Sequence, residues 1–107
     1  MPSNDLDNGS LIIKCRETTG TDRSDIFSIK KPSFKWYYKG IWYELADSNE
    51  GVAKDWEVNF KRDTITLYNN KTDWNRFIDL KRMIASMKFS SNEEYLYVCN
   101  KIKVGDL

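Results

Sequence analysis

The stretch Thr72-Asp73-Trp74-Asn75-Arg76-Phe77-Ile78-Asp79-Leu80-Lys81-Arg82-Met83-Ile84-Ala85-Ser86-Met87-Lys88 decides the fold class. Trp74, Phe77, Leu80, Met83, Ile84 and Met87 recur at helical spacing on one broad stripe, and Asn75, Asp79, Arg82 and Ser86 lie opposite. That period predicts one amphipathic helix over about Asp73 to Lys88. Thr72 or Asp73 can cap its start, and Ser90-Ser91-Asn92 ends it.

Strand signals flank this segment. From Trp56 to Tyr68 the chain alternates, with Trp56, Val58, Phe60, Ile65 and Leu67 on one side and Glu57, Asn59, Lys61, Thr64, Thr66 and Tyr68 on the other. A turn on Arg62-Asp63 sets Phe60 opposite Ile65 and Val58 opposite Leu67. Further back, Phe34 to Leu45 reads as a hairpin turning at Lys39-Gly40. Tyr38 then faces Ile41, Tyr37 faces Trp42, Trp36 faces Tyr43, Lys35 faces Glu44 and Phe34 faces Leu45. Leu11 to Cys15, Ile26 to Ile29 and Tyr95 to Val98 are shorter strand candidates; Arg16 to Asp25 and Ala46 to Asp55 read as polar loops. The expected architecture is α+β: a mostly antiparallel sheet of about six or seven strands, built on two consecutive hairpins, with one amphipathic helix packed on one face. Residues 1–10 are expected to be a flexible lead and 11–107 a single domain.

Composition narrows the function classes. The chain has 107 residues, 40% hydrophobic and 14% aromatic, enough for a core; 17 basic and 16 acidic side chains leave a formal charge of +1, which argues against a general affinity for nucleic acid or membrane. There is no histidine, and Gly9, Gly20, Gly40, Gly51 and Gly105 are isolated. Histidine-based catalysis, a phosphate-binding glycine loop and a zinc site are therefore not expected, nor is any cofactor or enzymatic activity. No apolar run is long enough for a membrane helix, and Met1 to Ser10 lacks the pattern of a signal peptide, so the expected compartment is cytoplasmic. In that setting Cys15 and Cys99 are expected as reduced, buried thiols, although they can meet if their strands are neighbours.

The hairpin supplies the candidate binding surface. Phe34, Trp36, Tyr38, Ile41, Tyr43 and Leu45 form its apolar side, which predicts Trp36 in the core. Lys35, Tyr37, Lys39, Trp42 and Glu44 form the other side, which predicts Trp42 at the surface. Aromatics between charges suit partner binding, though Tyr37 and Trp42 would also serve simply to hold the hairpin together. The segment Glu44 to Glu57 adds Asp47, Glu50 and Asp55, an acidic surface suited to a basic protein partner. The more basic stretch Lys61 to Lys88 suits phosphate contacts.

In size, lack of catalytic groups and aromatic-rich hairpins such as Phe34 to Leu45, the chain resembles the immunity proteins of bacterial toxin systems of the contact-dependent inhibition type. The resemblance is one of class and carries no motif. It implies a bacterial, cytoplasmic, non-enzymatic inhibitor of one cognate toxin, with a nuclease as the expected target. The alternative is a single-stranded nucleic-acid-binding module that stacks bases on Tyr37 and Trp42 and contacts phosphates through Lys35 and Lys39. Trp74 within Thr72-Asp73-Trp74-Asn75-Arg76-Phe77 also looks faintly similar to the tryptophan-bearing helix of pleckstrin-homology barrels, which implies a lipid- or peptide-binding module.

Overall fold

In the computed structural model, residues 2–3, 9–19, 22–46 and 55–107 are described, and among them there is no α-helix. The strands are β1 (Pro2–Ser3), β2 (Leu11–Glu17), β3 (Ser24–Lys30), β4 (Ser33–Tyr38), β5 (Ile41–Glu44), β6 (Trp56–Lys61), β7 (Thr64–Asn69), β8 (Trp74–Asp79), β9 (Ile84–Lys88) and β10 (Glu94–Lys101). They form one antiparallel sheet in the order β1-β5-β4-β3-β2-β10-β9-β8-β7-β6, curled into a half-barrel. Two meanders, β2 to β5 and β6 to β10, each pair strand to next strand. They join along a single seam, the β2–β10 ladder, where Cys99 lies directly opposite Cys15.

The α+β expectation is thus corrected to all-β, and the error lies in residues 72–88. The segment is a hairpin, β8–β9, and its turns explain why no helix forms. Asn69 Oδ1 accepts the backbone N–H groups of Lys71 (3.0 Å) and Thr72 (2.9 Å), and Asp73 then adopts φ 63° before β8 begins. Ten residues on, the same device recurs: Asp79 Oδ1 accepts the N–H groups of Lys81 (3.0 Å) and Arg82 (3.1 Å), and Met83 adopts φ 55° before β9. Asn and Asp side chains that bond the backbone two and three residues on stabilise turns, in competition with a helix. Asp79 therefore terminates β8 in the middle of the expected helix.

Both sequence-derived hairpin registers hold. Lys39 (φ 49°) and Gly40 (φ 81°) make the turn with two positive φ values that a two-residue hairpin of this hand needs. Lys35 to Tyr38 pair with Glu44 to Ile41 as the side-chain pattern requires. In the second hairpin Phe60 pairs with Ile65 and Val58 with Leu67. The concave face carries one core. Ile13, Cys15, Phe27, Ile29, Phe34, Leu45, Ile65, Leu67, Ile78, Ala85, Met87, Tyr97 and Cys99 are buried there, with Trp36, Trp56 and Trp74 packed against them.

The expectation of two reduced thiols is also corrected: Cys15 and Cys99 are bonded, with their Cα atoms 3.9 Å apart. Cys99 donates its N–H to Met83 on the β9 side (2.8 Å), so Cys15 and Cys99 form a pair with no backbone bond between them, the closest approach an antiparallel ladder offers.

Candidate functional site

The hairpin face expected to bind a partner is mostly covered. Trp42 is only 3% exposed and Lys35 is 8% exposed, so the surface position expected for Trp42 is corrected to a buried one. The rings of Tyr37 and Trp42 meet at 4.8 Å, which makes them a hairpin-holding pair. Glu44 is occupied locally. Its carboxylate accepts the Ser33 hydroxyl and the backbone N–H groups of Phe34 (2.8 Å) and Ala46 (3.2 Å), closing the end of the β4–β5 ladder. Lys39 is exposed in the turn, with its ammonium 5.3 Å from the Tyr38 ring, and Asp55 is half-buried, its carbonyl accepting the Asn70 N–H. Asp47 and Glu50 lie outside the described residues.

A different set of residues converges at one end of the concave face. A cleft of about 510 Å³ opens there between the two meanders. From the second meander, Trp74 and Arg76 on β8, Met87 on β9, Phe89 just after it, and Tyr95 and Tyr97 on β10 line it; from the first come Arg23 and Asp25. The alternation of β8 explains the placement, because Trp74, Arg76 and Ile78 point the same way and Ile78 is in the core. Trp74 and Phe89 meet edge to face at 4.8 Å, and Phe89 meets Tyr95 the same way at 5.3 Å. The Arg23 guanidinium lies 4.9 Å from the Tyr95 ring and 5.6 Å from that of Phe89, a cation held on aromatic rings.

Arg76 spans the interior. Its Nη1 donates to Asp25 Oδ2 at 2.8 Å, with side-chain exposures of 12% and 19%, and its guanidinium sits over the rings of Phe27 (5.1 Å) and Tyr97 (5.8 Å). This pair ties β8 to β3, elements of different meanders, and it is what lets an arginine occupy a core-facing position. Burial raises the ionisation of the Tyr97 phenol above its ordinary value and Asp25 adds to that, while Arg76 and Arg23 pull it back. Tyr97 is consequently a neutral hydroxyl at physiological pH. Beneath the cleft, behind Trp74, Arg76 and Met87, a smaller apolar cavity of about 90 Å³ continues between Trp36, Trp56, Leu45 and Phe27.

This site gathers none of the residues expected to bind a partner. The signal for it was the density of aromatics from Phe89 to Tyr97, with Tyr95 and Tyr97 spaced to share a strand face. Arg23 carried no signal, standing in a polar loop with no pattern around it. At the opposite end of the sheet, a second open cleft of about 490 Å³ collects Lys61, Arg62, Lys81 and Arg82 around Asp63 and Asp79.

Chemically, the aromatic cleft offers stacking surfaces, two guanidinium groups, two phenols and the carboxylates of Asp25 and Glu93. Among the described residues, no cluster of three or more histidine, cysteine or acidic side chains could hold a metal ion, and no helix is long and apolar enough to cross a membrane. Comparison of the chain with protein-family models, with curated proteins and with solved structures finds no match.

Proposed function

We propose that this protein acts by binding another protein, without catalysis, and that the aromatic cleft of the half-barrel is its working surface. One observation carries the reading: Arg23, Trp74, Phe89 and Tyr95 are held ring to ring and cation to ring at the mouth of an open cleft. Tryptophan, tyrosine and arginine dominate the energetics of protein interfaces, and rigid rings lose little entropy when a partner docks. As physiological role we propose inhibition of a cognate bacterial toxin. The small chain without histidine, and a concave surface in place of a catalytic constellation, support it. The Cys15–Cys99 bond favours a compartment that keeps disulfides oxidised over the cytoplasm.

A single-stranded nucleic acid is the second reading, favoured by the Arg23–Tyr95–Phe89 platform, on which bases can stack, and by the basic cluster at the far end. Co-purification from the source cells followed by titration separates the two. A stoichiometric protein partner is expected, with affinity lowered at least about tenfold by Trp74→Ala and by Arg23→Ala, as for interface hot spots. Tight binding of single-stranded oligonucleotides at low salt, with no protein partner recovered, overturns the inhibitor reading.

A further inference from the structure

We propose that β6 is a docking edge for a second copy of this chain, so that two half-barrels pair antiparallel through β6 into one continuous sheet. β6 is the last strand of the sheet order and bonds only β7 among the described residues. Its two-residue turn makes Lys61 and Thr64 a hydrogen-bonded pair, so Asn59 and Glu57 also bond inward to β7. The N–H and C=O groups of Trp56, Val58 and Phe60 accordingly point out of the sheet, where no described strand meets them. The opposite edge is β1, a strand of two residues beginning with proline, which has no N–H to offer. One edge is blunted and the other is not, since β6 runs for six residues without proline.

Side chains agree with the backbone. Trp56, Val58 and Phe60 lie on the concave face but are only half-buried, unlike their neighbours Ile65 and Leu67 at 1% exposure each. A strand laid against β6 would cover them. The exposed residues of β6 select the occupant, because Glu57 and Lys61 carry opposite charges on the same face, symmetrically placed about Asn59. Antiparallel self-pairing about Asn59 sets Glu57 of each copy against Lys61 of the other and Val58 against Phe60, whereas parallel pairing would set like charges together. The resulting interface is small and belongs to the weak, concentration-dependent class.

Sedimentation equilibrium from about 5 to 500 µM brackets an interface of this class. The expected result is a mass rising from one chain to two. Lys61→Glu, at an exposed position, should weaken association about tenfold or more by opposing like charges twice, and the swap Glu57→Lys/Lys61→Glu should restore it. Asn59→Cys should cross-link to its own copy under mild oxidation, since the twofold axis passes through that residue. A wild-type chain that stays monomeric at the top concentration overturns the proposal and leaves the edge to the strand of a different protein. A dimer indifferent to Lys61→Glu, or one that the charge swap fails to restore, or one that Asn59→Cys fails to cross-link, overturns the antiparallel β6 interface.

Discussion

Reducing the Cys15–Cys99 bond should destabilise the protein heavily without dissolving its fold. The bond closes a loop with a sequence separation of 84, spanning nearly every element of both meanders. In the chain-entropy treatment a closed loop of that length restricts the unfolded ensemble by about 4.5 kcal/mol at room temperature. Set against the roughly 5–15 kcal/mol typical of a whole domain, the bond accounts for a large share of stability. For a domain of this size, about 4–8 °C per kcal/mol translates the loss into a fall in Tm of about 20 °C or more. The folded state itself should survive. Cys15 and Cys99 are 0% and 3% exposed, and two thiols there still fill the seam as small apolar groups. The assay is urea unfolding followed by tryptophan fluorescence, with and without reductant. Two signatures should appear together. The midpoint should fall, and the slope with urea should rise, because an unfolded chain freed of its cross-link expands and exposes more surface. Melts that coincide with and without reductant, or two free thiols titrating in denaturant before any reductant is added, would refute the reasoning. Either result would also return the pair to the reduced state that two isolated cysteines suggest.

Other perturbations follow from single residues. Trp42→Ala should cost about 3–5 kcal/mol in urea unfolding, as truncation of a buried aromatic does, because Trp42 is 3% exposed; a cost under about 1 kcal/mol would mean that its ring is at the surface. Asn69→Ala strips the acceptor from two backbone N–H groups in the β7–β8 turn and should cost about 1–3 kcal/mol, with the loss absent in Asn69→Asp, which keeps the acceptor oxygen. Tyr97 should make stability fall at alkaline pH: its folded ionisation is raised above the ordinary 10.0, so the folded state holds the proton longer than the unfolded one. Its contribution is complete below about pH 10 and is lost as pH rises through the unfolded and then the folded value. Tyr97→Phe should therefore reduce the slope of an alkaline unfolding series, leaving the part that Tyr68, raised by its hydrogen bond to Asp73, contributes.

What the sequence conveys and what it hides divide at identifiable residues. The hairpins 34–45 and 56–67 are legible because uninterrupted alternation, a short turn and complementary cross-strand pairs all specify one register, and that register is observed. Faces are harder to read than registers. Trp42 stands on the side that alternation assigns to solvent, yet it is only 3% exposed, with its ring against that of Tyr37, and burial on that side leaves no signal in the alternation itself. Residues 72–88 mislead for a more telling reason. As a half-buried strand, β8 should show apolar side chains at Trp74, 76 and Ile78. Instead Arg76 takes the middle inward position, while Phe77 and Ile84 stand outward at 39% and 41% exposure. With a charge inside and two apolar groups outside, the period of two disappears, and the remaining apolar residues fall at helical spacing. Arg76 can face inward only because Asp25, 51 residues away in sequence, supplies its counter-charge across the half-barrel. No local reading contains that partner. Together with Trp74 and Met87, Arg76 also lines both the aromatic cleft and the apolar cavity beneath it. A chain departs from the simplest pattern of its own fold at a cost in stability, and such departures concentrate where a site needs a group the fold alone would not choose. The position that concealed β8 is for that reason a physical argument for the cleft: an inward-facing arginine, paired with Asp25 across the core, is a feature of the strand that packing does not require.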